Sequence, residues 1–269
     1  MCTINQSYIL VIILNIMKIT LNNIYKNYND KVVLNNLSLE LNPAKRYAIV
    51  GANGVGKSSL LRIISGIDSN YIGQVLYGNK DIKNFDFKEK AKIISYMKQN
   101  QSGDLYYTVY ELLLNSRYVY TGLFSKYKQS DYSAIKHAME ITNITNLSDL
   151  RIDELSGGQI QRVWLAFAIA QQSKWLMVDE PSSFLDIKYQ KEMMEVFKKI
   201  ENTGIISVMH DINFASLYFD EIIAIKDGEV VYKDDAKKFI TKANIKKVFS
   251  VDADIITHPT LKQKICMFY

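Results

Sequence analysis

The chain has 269 residues, 48% hydrophobic and 23% charged, which excludes a disordered chain and is enough apolar material to fill one substantial core. Its net charge of +5 is dispersed among glutamates and asparagines rather than gathered in a block, which argues against a nucleic-acid footprint. Two cysteines, Cys2 and Cys266, and three prolines are too few for a disulfide framework, a cysteine metal site or a Pro-rich linker, and a reducing compartment fits.

The first feature in chain order is the apolar run Tyr8–Met17. It falls short of the about 20 apolar residues that span a bilayer. No Lys or Arg precedes it and no small-residue cleavage site follows, so it does not read as a signal peptide. Residues 1–16 are read as an extension from an upstream start site or a loosely attached tail. An alternating strand pattern begins at Met17-Lys18-Ile19-Thr20-Leu21. Strands near residues 17–25, 32–41 and 46–50 predict an antiparallel edge leading into a parallel core sheet.

The strand Arg46-Tyr47-Ala48-Ile49-Val50 runs into Gly51-Ala52-Asn53-Gly54-Val55-Gly56-Lys57-Ser58, which fits G-x-x-x-x-G-K-[ST] at every fixed position. Ser58-Ser59-Leu60-Leu61-Arg62-Ile63-Ile64 has the apolar spacing of a helix packed on a sheet. Glycines let the backbone turn tightly, so that successive N–H groups and the positive end of the helix face one anion. Lys57 is placed to reach the β- and γ-phosphates of a nucleotide, and the Ser58 hydroxyl to complete the coordination of Mg²⁺.

Next comes the strand Ile94-Ser95-Tyr96-Met97-Lys98, followed by Gln99 and Gln101. Residues about 102–160 carry helical spacing, at Val109–Leu114 and at Ile135–Ile141, with Ser130-Asp131 as a helix start. Leu155-Ser156-Gly157-Gly158-Gln159 opens a further helix, Ile160–Ala170, whose N-terminus presents free N–H groups toward an anion. The apolar strand Lys174-Trp175-Leu176-Met177-Val178 ends abruptly in Asp179-Glu180. Carboxylates at the C-terminal end of a parallel strand lie at the mouth where ligands bind. Asp179 is therefore read as a holder of Mg²⁺, and Glu180 as the general base that polarises water.

Phosphate loop, Leu155–Gln159 pentapeptide and Asp-Glu strand, in that order, resemble the ATP-binding cassette (ABC) ATPases over residues 17–250. The resemblance implies an α/β P-loop NTPase with a RecA-like core sheet, an antiparallel β edge and an inserted helical subdomain at about 102–160. The cassette would occupy residues 17–255, with 256–269 as a C-terminal tail. It also implies that Tyr28, or its neighbour Tyr25, stacks on adenine, and that Gln99, or Gln101, touches Mg²⁺ and the attacking water. Ser183-Phe184-Leu185-Asp186 resembles the loop that crosses to a second subunit, and His210 the histidine on the γ-phosphate. The implied nucleotide contacts are Tyr28, Gly51–Ser59, Ser156–Gln159 and Asp186, with ATP and Mg²⁺ as cofactors. Lys98, Ser182 and Phe167 stand where many relatives have proline, threonine and arginine.

In that family Ser156, Gly157 and Gly158 would clamp ATP held by a second copy, so a homodimer is expected to sandwich two ATP molecules. A single cassette without membrane-spanning helices implies partner permease subunits at the cytoplasmic face of the membrane, an extracytoplasmic substrate-binding protein, and no nucleic acid. The segments Pro181–Gln190 and Met209–Ala215 look most like importers of iron-siderophore, haem or cobalamin. An exporter ATPase, or that of another metal importer, is the alternative.

Overall fold

The computed structural model describes residues 18–43, 45–98, 106–121, 126–181 and 186–268. The chain folds into two compact units, one running up to Phe85 and resuming at Gly204, the other spanning Asp86–Thr203.

The first unit opens with β1 (Ile19–Tyr28) and β2 (Lys31–Leu41), an antiparallel pair. Then come β3 (Arg46–Val50), the helix Lys57–Ile64, β4 (Ile72–Tyr77) and β5 (Lys80–Asp81). β1 lies between β2 and β4, in the order β2-β1-β4-β5, which is the expected antiparallel edge.

The second unit contains the helix Phe87–Ile93, β6 (Ile94–Met97), the helices Val109–Ser116, Gln129–Ile141 and Gly157–Ala170, β7 (Trp175–Asp179) and the helix Ile187–Lys199. β6 and β7 pair in parallel, Ile94 opposite Trp175 and Met97 opposite Val178. The three central helices close on a cluster that includes Leu113, Ile135, Met139, Val163 and Ala166. The helical segment expected at about 102–160 thus belongs to a wider unit that also holds two core strands. Phe167 packs against that cluster and edge-on to Trp164, ring centroids 5.5 Å apart. An aromatic at this place extends the apolar face of the helix by an i, i+3 pair.

Returning to the first unit, the chain forms β8 (Gly204–Val208), the helix Ile212–Tyr218, β9 (Glu221–Lys226) and β10 (Glu229–Asp235). β3 lies between β8 and β9, parallel to both. Every residue of β8 is buried, as are four of the five in β3, and strands covered on both faces read as continuous apolar runs. The stretch expected as a tail at 256–269 takes part in an antiparallel hairpin of β11 (Ala253–Thr257) and β12 (Lys264–Phe268). Asn213 ties it down, donating from Nδ2 to the Cys266 carbonyl at 3.0 Å and accepting the Cys266 N–H at 2.8 Å.

One buried ion pair organises the helices of the second unit. Arg117, just past the helix Val109–Ser116, donates from Nε to Asp131 at 2.9 Å and from Nη1 to the Ala170 carbonyl at 2.6 Å. Both side chains are 4% exposed. Asp131 sits in the first turn of its helix rather than capping it, and its other oxygen accepts the Lys128 N–H at 2.8 Å. Burial alone would raise the Asp131 carboxyl, but the hydrogen bonds from Lys128 and Arg117 outweigh it and hold the group below its ordinary value. Removing one partner strands the other, so Asp131→Ala is expected to lower unfolding free energy by about 3–5 kcal/mol, read from denaturant midpoints. Because the folded-state value is depressed, this stabilisation is complete above the ordinary Asp value of about 3.9 and is lost as pH falls through the folded one.

Candidate active site

The first unit holds the phosphate loop. Gly51 has φ +150°, and a Cβ there would lie 2.3 Å from the Ile225 carbonyl oxygen at the end of β9. Gly56, at φ +103°, is the N-cap of Lys57–Ile64, and a Cβ would meet the Val33 carbonyl at 2.8 Å. Only glycine fits either place without moving backbone. Gly56 also has no side chain with which to cap the helix, so its first N–H groups are left to an anion. Lys57 is buried and folds back over its own loop, donating to the carbonyls of Gly51 at 3.0 Å and Ala52 at 2.9 Å. A buried ammonium needs such acceptors, and phosphate oxygens are stronger ones. Beside the loop lies a cavity of about 600 Å³, lined by Lys31, Val32 and Val33 together with Asn53, Gly54 and Val55.

Tyr28 stands next to this helix. Its hydroxyl donates to Asp68 Oδ2 at 3.3 Å and receives a long contact of 3.5 Å from Ser59 Oγ. Tyr25 lies opposite Ile72 of β4. Burial alone would raise the Asp68 carboxyl, but hydrogen bonds from Lys26 and the Asn70 N–H hold it below its ordinary value. His210 follows β8 at the surface. The Met209 N–H reaches the Ile49 carbonyl at 3.0 Å, which fixes the histidine segment beside the strand that feeds the phosphate loop. Asp211 caps the following helix through the N–H groups of Asn213 and Phe214, at 2.7 and 3.0 Å.

The second unit carries the carboxylates and the pentapeptide. Asp179 ends β7, and one of its oxygens accepts from the Tyr96 hydroxyl on β6 at 3.1 Å. Glu180 has φ +52°, a left-handed conformation costly for a residue with a Cβ and frequent at functional positions. Ser156 caps Gly157–Ala170 in a reciprocal box: its N–H reaches Gln159 Oε1 at 2.8 Å while its Oγ accepts the Gln159 N–H at 3.4 Å. A Cβ on Gly157 would meet nothing within 4 Å. Asp186 caps Ile187–Lys199 through the Tyr189 N–H at 3.0 Å. Gln99, Gln101 and Ser182–Leu185 lie outside the described residues.

Sequence reasoning did not single out Tyr96 or the Lys26–Asp68 pair. Tyr96 was visible only as one member of an apolar strand, and its partner lies 83 positions away.

A family model described as ABC transporter matches residues 34–183. The chain is 32% identical over 245 residues to the iron(3+)-hydroxamate import ATP-binding protein FhuC of Bacillus subtilis, covering 90% of this chain and 91% of that protein. It is 34% identical over 237 residues to the ferric enterobactin transport ATP-binding protein FepC of Escherichia coli, covering 86% and 87%. Among solved structures, the ATP-binding cassette MJ0796, dimeric in a post-hydrolysis state with ADP and Pi, matches with a TM-score of 0.69 at 26% identity, over 81% of this chain and 98% of that one. The likeness extends well beyond the phosphate loop that many nucleotide enzymes share, and the chain belongs to the ABC transporter family as an ATP-binding, ATP-hydrolysing subunit with the fold of the P-loop NTPase cassettes.

Proposed function

We propose that this chain energises an importer of an iron chelate, haem or cobalamin as one of two identical ATPase subunits bound to a membrane permease. The observation that carries the cargo class is the near full-length similarity to iron-hydroxamate and ferric enterobactin ATP-binding proteins. An extracytoplasmic binding protein would deliver the cargo, and the subunit would sit on the cytoplasmic face through the permease. Among the described residues no helix is long and apolar enough to cross a membrane, in keeping with a path supplied by partners.

On this reading the β- and γ-phosphates take over Lys57 from the Gly51 and Ala52 carbonyls, and the uncapped helix N-terminus beneath faces them. Ser58 and Asp179 would each offer Mg²⁺ a hard oxygen donor of the kind it takes alongside nucleotide phosphates, and Gln99 would add a third. When bound, the ion neutralises charge on the phosphate oxygens. The Tyr96 hydroxyl orients the Asp179 carboxylate for that role. Glu180 accepts a proton from the attacking water, and His210 steadies the γ-phosphate.

The dimer reading is supported by the Ser156 helix end. Among the described residues nothing crowds a Cβ at Gly157, so packing within them does not call for a glycine there. A phosphate on a second copy, approached closely by backbone N–H groups, would. ATP then favours the closed pair because only there does it gain these contacts, and hydrolysis removes the preference.

Two measurements test the assignment. Glu180→Gln should still bind ATP while turnover falls by about 100-fold or more, and near wild-type hydrolysis would contradict the base assignment. Glu180→Gly should lose turnover as well yet gain about 1 kcal/mol of stability by relieving the left-handed conformation, seen as a higher Tm. For the cargo, the subunit co-purified with its permease should show ATPase stimulation by ferric chelates, haem or cobalamin. Indifference to all three would remove the cargo class and leave the ATPase intact.

A further inference from the structure

Lys26 is 3% exposed and Asp68 11% exposed, yet both are charged groups. The Lys26 ammonium lies 2.8 Å from Asp68 Oδ2 and 3.1 Å from Oδ1, and it donates to the Asn70 carbonyl at 2.6 Å. A buried ion pair is weak evidence for stability, because an apolar side chain of similar length fills the space at lower desolvation cost. Its geometry points to the neighbouring ring. Lys26 and Tyr28 are two residues apart on β1 and share one face of the strand. The ammonium sits 4.7 Å from the Tyr28 ring centroid, and the Asp68 carboxylate accepts the Tyr28 hydroxyl. Asp68 belongs to the turn that ends the phosphate-loop helix, its N–H bonded to the Arg62 carbonyl at 3.1 Å. The ring is gripped at its hydroxyl and covered on one face, yet Tyr28 remains 45% exposed.

We propose that Lys26 and Asp68 are positioning residues for the nucleobase, holding the Tyr28 ring against the phosphate-loop helix with its uncovered face presented to the base. The inference rests on the reading of Tyr28 as the base-stacking aromatic. A ring already fixed at both torsions loses little freedom when a base stacks on it, whereas an unbraced one has to be ordered by the ligand. The brace acts on the base alone, since Lys57 and the helix N-terminus hold the phosphates.

ADP and inorganic pyrophosphate separate the two halves of the site, because both engage the phosphate loop and only ADP carries a base. Their affinities for the full chain are measured by titration calorimetry. Tyr28→Ala should weaken ADP about tenfold or more and leave pyrophosphate unchanged. Tyr28→Phe keeps the ring and cuts its tether to Asp68, and should weaken ADP about threefold to tenfold. Lys26→Met should do the same, and Lys26→Arg, which can still pair with Asp68, should recover most of the loss. If Tyr28→Ala weakens ADP while Tyr28→Phe and Lys26→Met bind it like wild type, the brace is overturned and the stacking role survives. If Tyr28→Ala binds ADP normally, both fall. Equal weakening of pyrophosphate in Tyr28→Phe and Lys26→Met would mean general damage to the loop and overturn the proposal. Tyr28→Phe changes only a surface hydroxyl and decides the matter should Lys26→Met fail to fold.

Discussion

The site depends on a steric exclusion at two points of the phosphate loop. Gly51 lies so close to the Ile225 carbonyl, and Gly56 so close to Val33, that a side-chain carbon at either place would overlap backbone. The loop is thereby wedged between the end of β9 on one side and β2 on the other, which fixes its path at those two points. That fixed path starts the helix at Lys57 with its N–H groups uncapped, and it turns the Gly51 and Ala52 carbonyls toward the lysine ammonium. A charged lysine buried in a loop would otherwise be a liability of several kcal/mol. Here the carbonyls that hold it are weaker acceptors than phosphate, so the lysine favours an anion.

The same helix sets the scale of the rest of the first unit's site. Its N-terminus belongs to the phosphate loop, and the turn after its C-terminus supplies Asp68, which reaches the Tyr28 hydroxyl. Ser59, in the first turn, approaches the same hydroxyl from the other end. A rigid rod of this length links phosphate recognition to the Tyr28 side, so a displacement of one carries the other with it. The Met209 N–H on the Ile49 carbonyl ties the His210 segment to β3 in the same frame. The helix just after His210 is itself fastened at Asn213 to the β11–β12 hairpin, so distant C-terminal residues help to fix the segment.

How much of this was legible in the sequence follows from how far apart the partners lie. The phosphate loop was readable because its glycines, lysine and serine are contiguous and its flanking strand and helix have unambiguous apolar periods. The antiparallel edge and parallel core were readable for the same reason, since alternation in β1 and β2 gives way to continuous burial in β3 and β8. Tyr96 on Asp179 and Lys26 on Asp68 were not, because each pair is set by strand adjacency across 83 and 42 positions and no local pattern encodes it. The β11–β12 hairpin escaped because its strands are short and half-exposed, with the turn residues His258-Pro259-Thr260 giving a weaker signal than Asn-Gly or Asp-Gly. Phe167 was readable only as a departure, although Trp164 three residues earlier already offered it an aromatic partner.

The pentapeptide serves the fold and, on the dimer reading, a ligand in turn. Ser156 and Gln159 satisfy each other's N–H groups, so the helix Gly157–Ala170 carries its own capping box in the single chain. Such a box contributes about 1 kcal/mol, and its longer arm, the 3.4 Å contact to Ser156 Oγ, is the weaker one. A charge-assisted bond from the serine hydroxyl to a phosphate oxygen is worth about twice a neutral one. On the dimer reading, exchanging the internal partner for a nucleotide on a second copy therefore costs little and gains more, and the open space around Gly157 means that no side chain has to move first. The capped state keeps the single chain folded without committing the serine, and on the dimer reading the exchange of the weaker bond for a phosphate favours the closed pair.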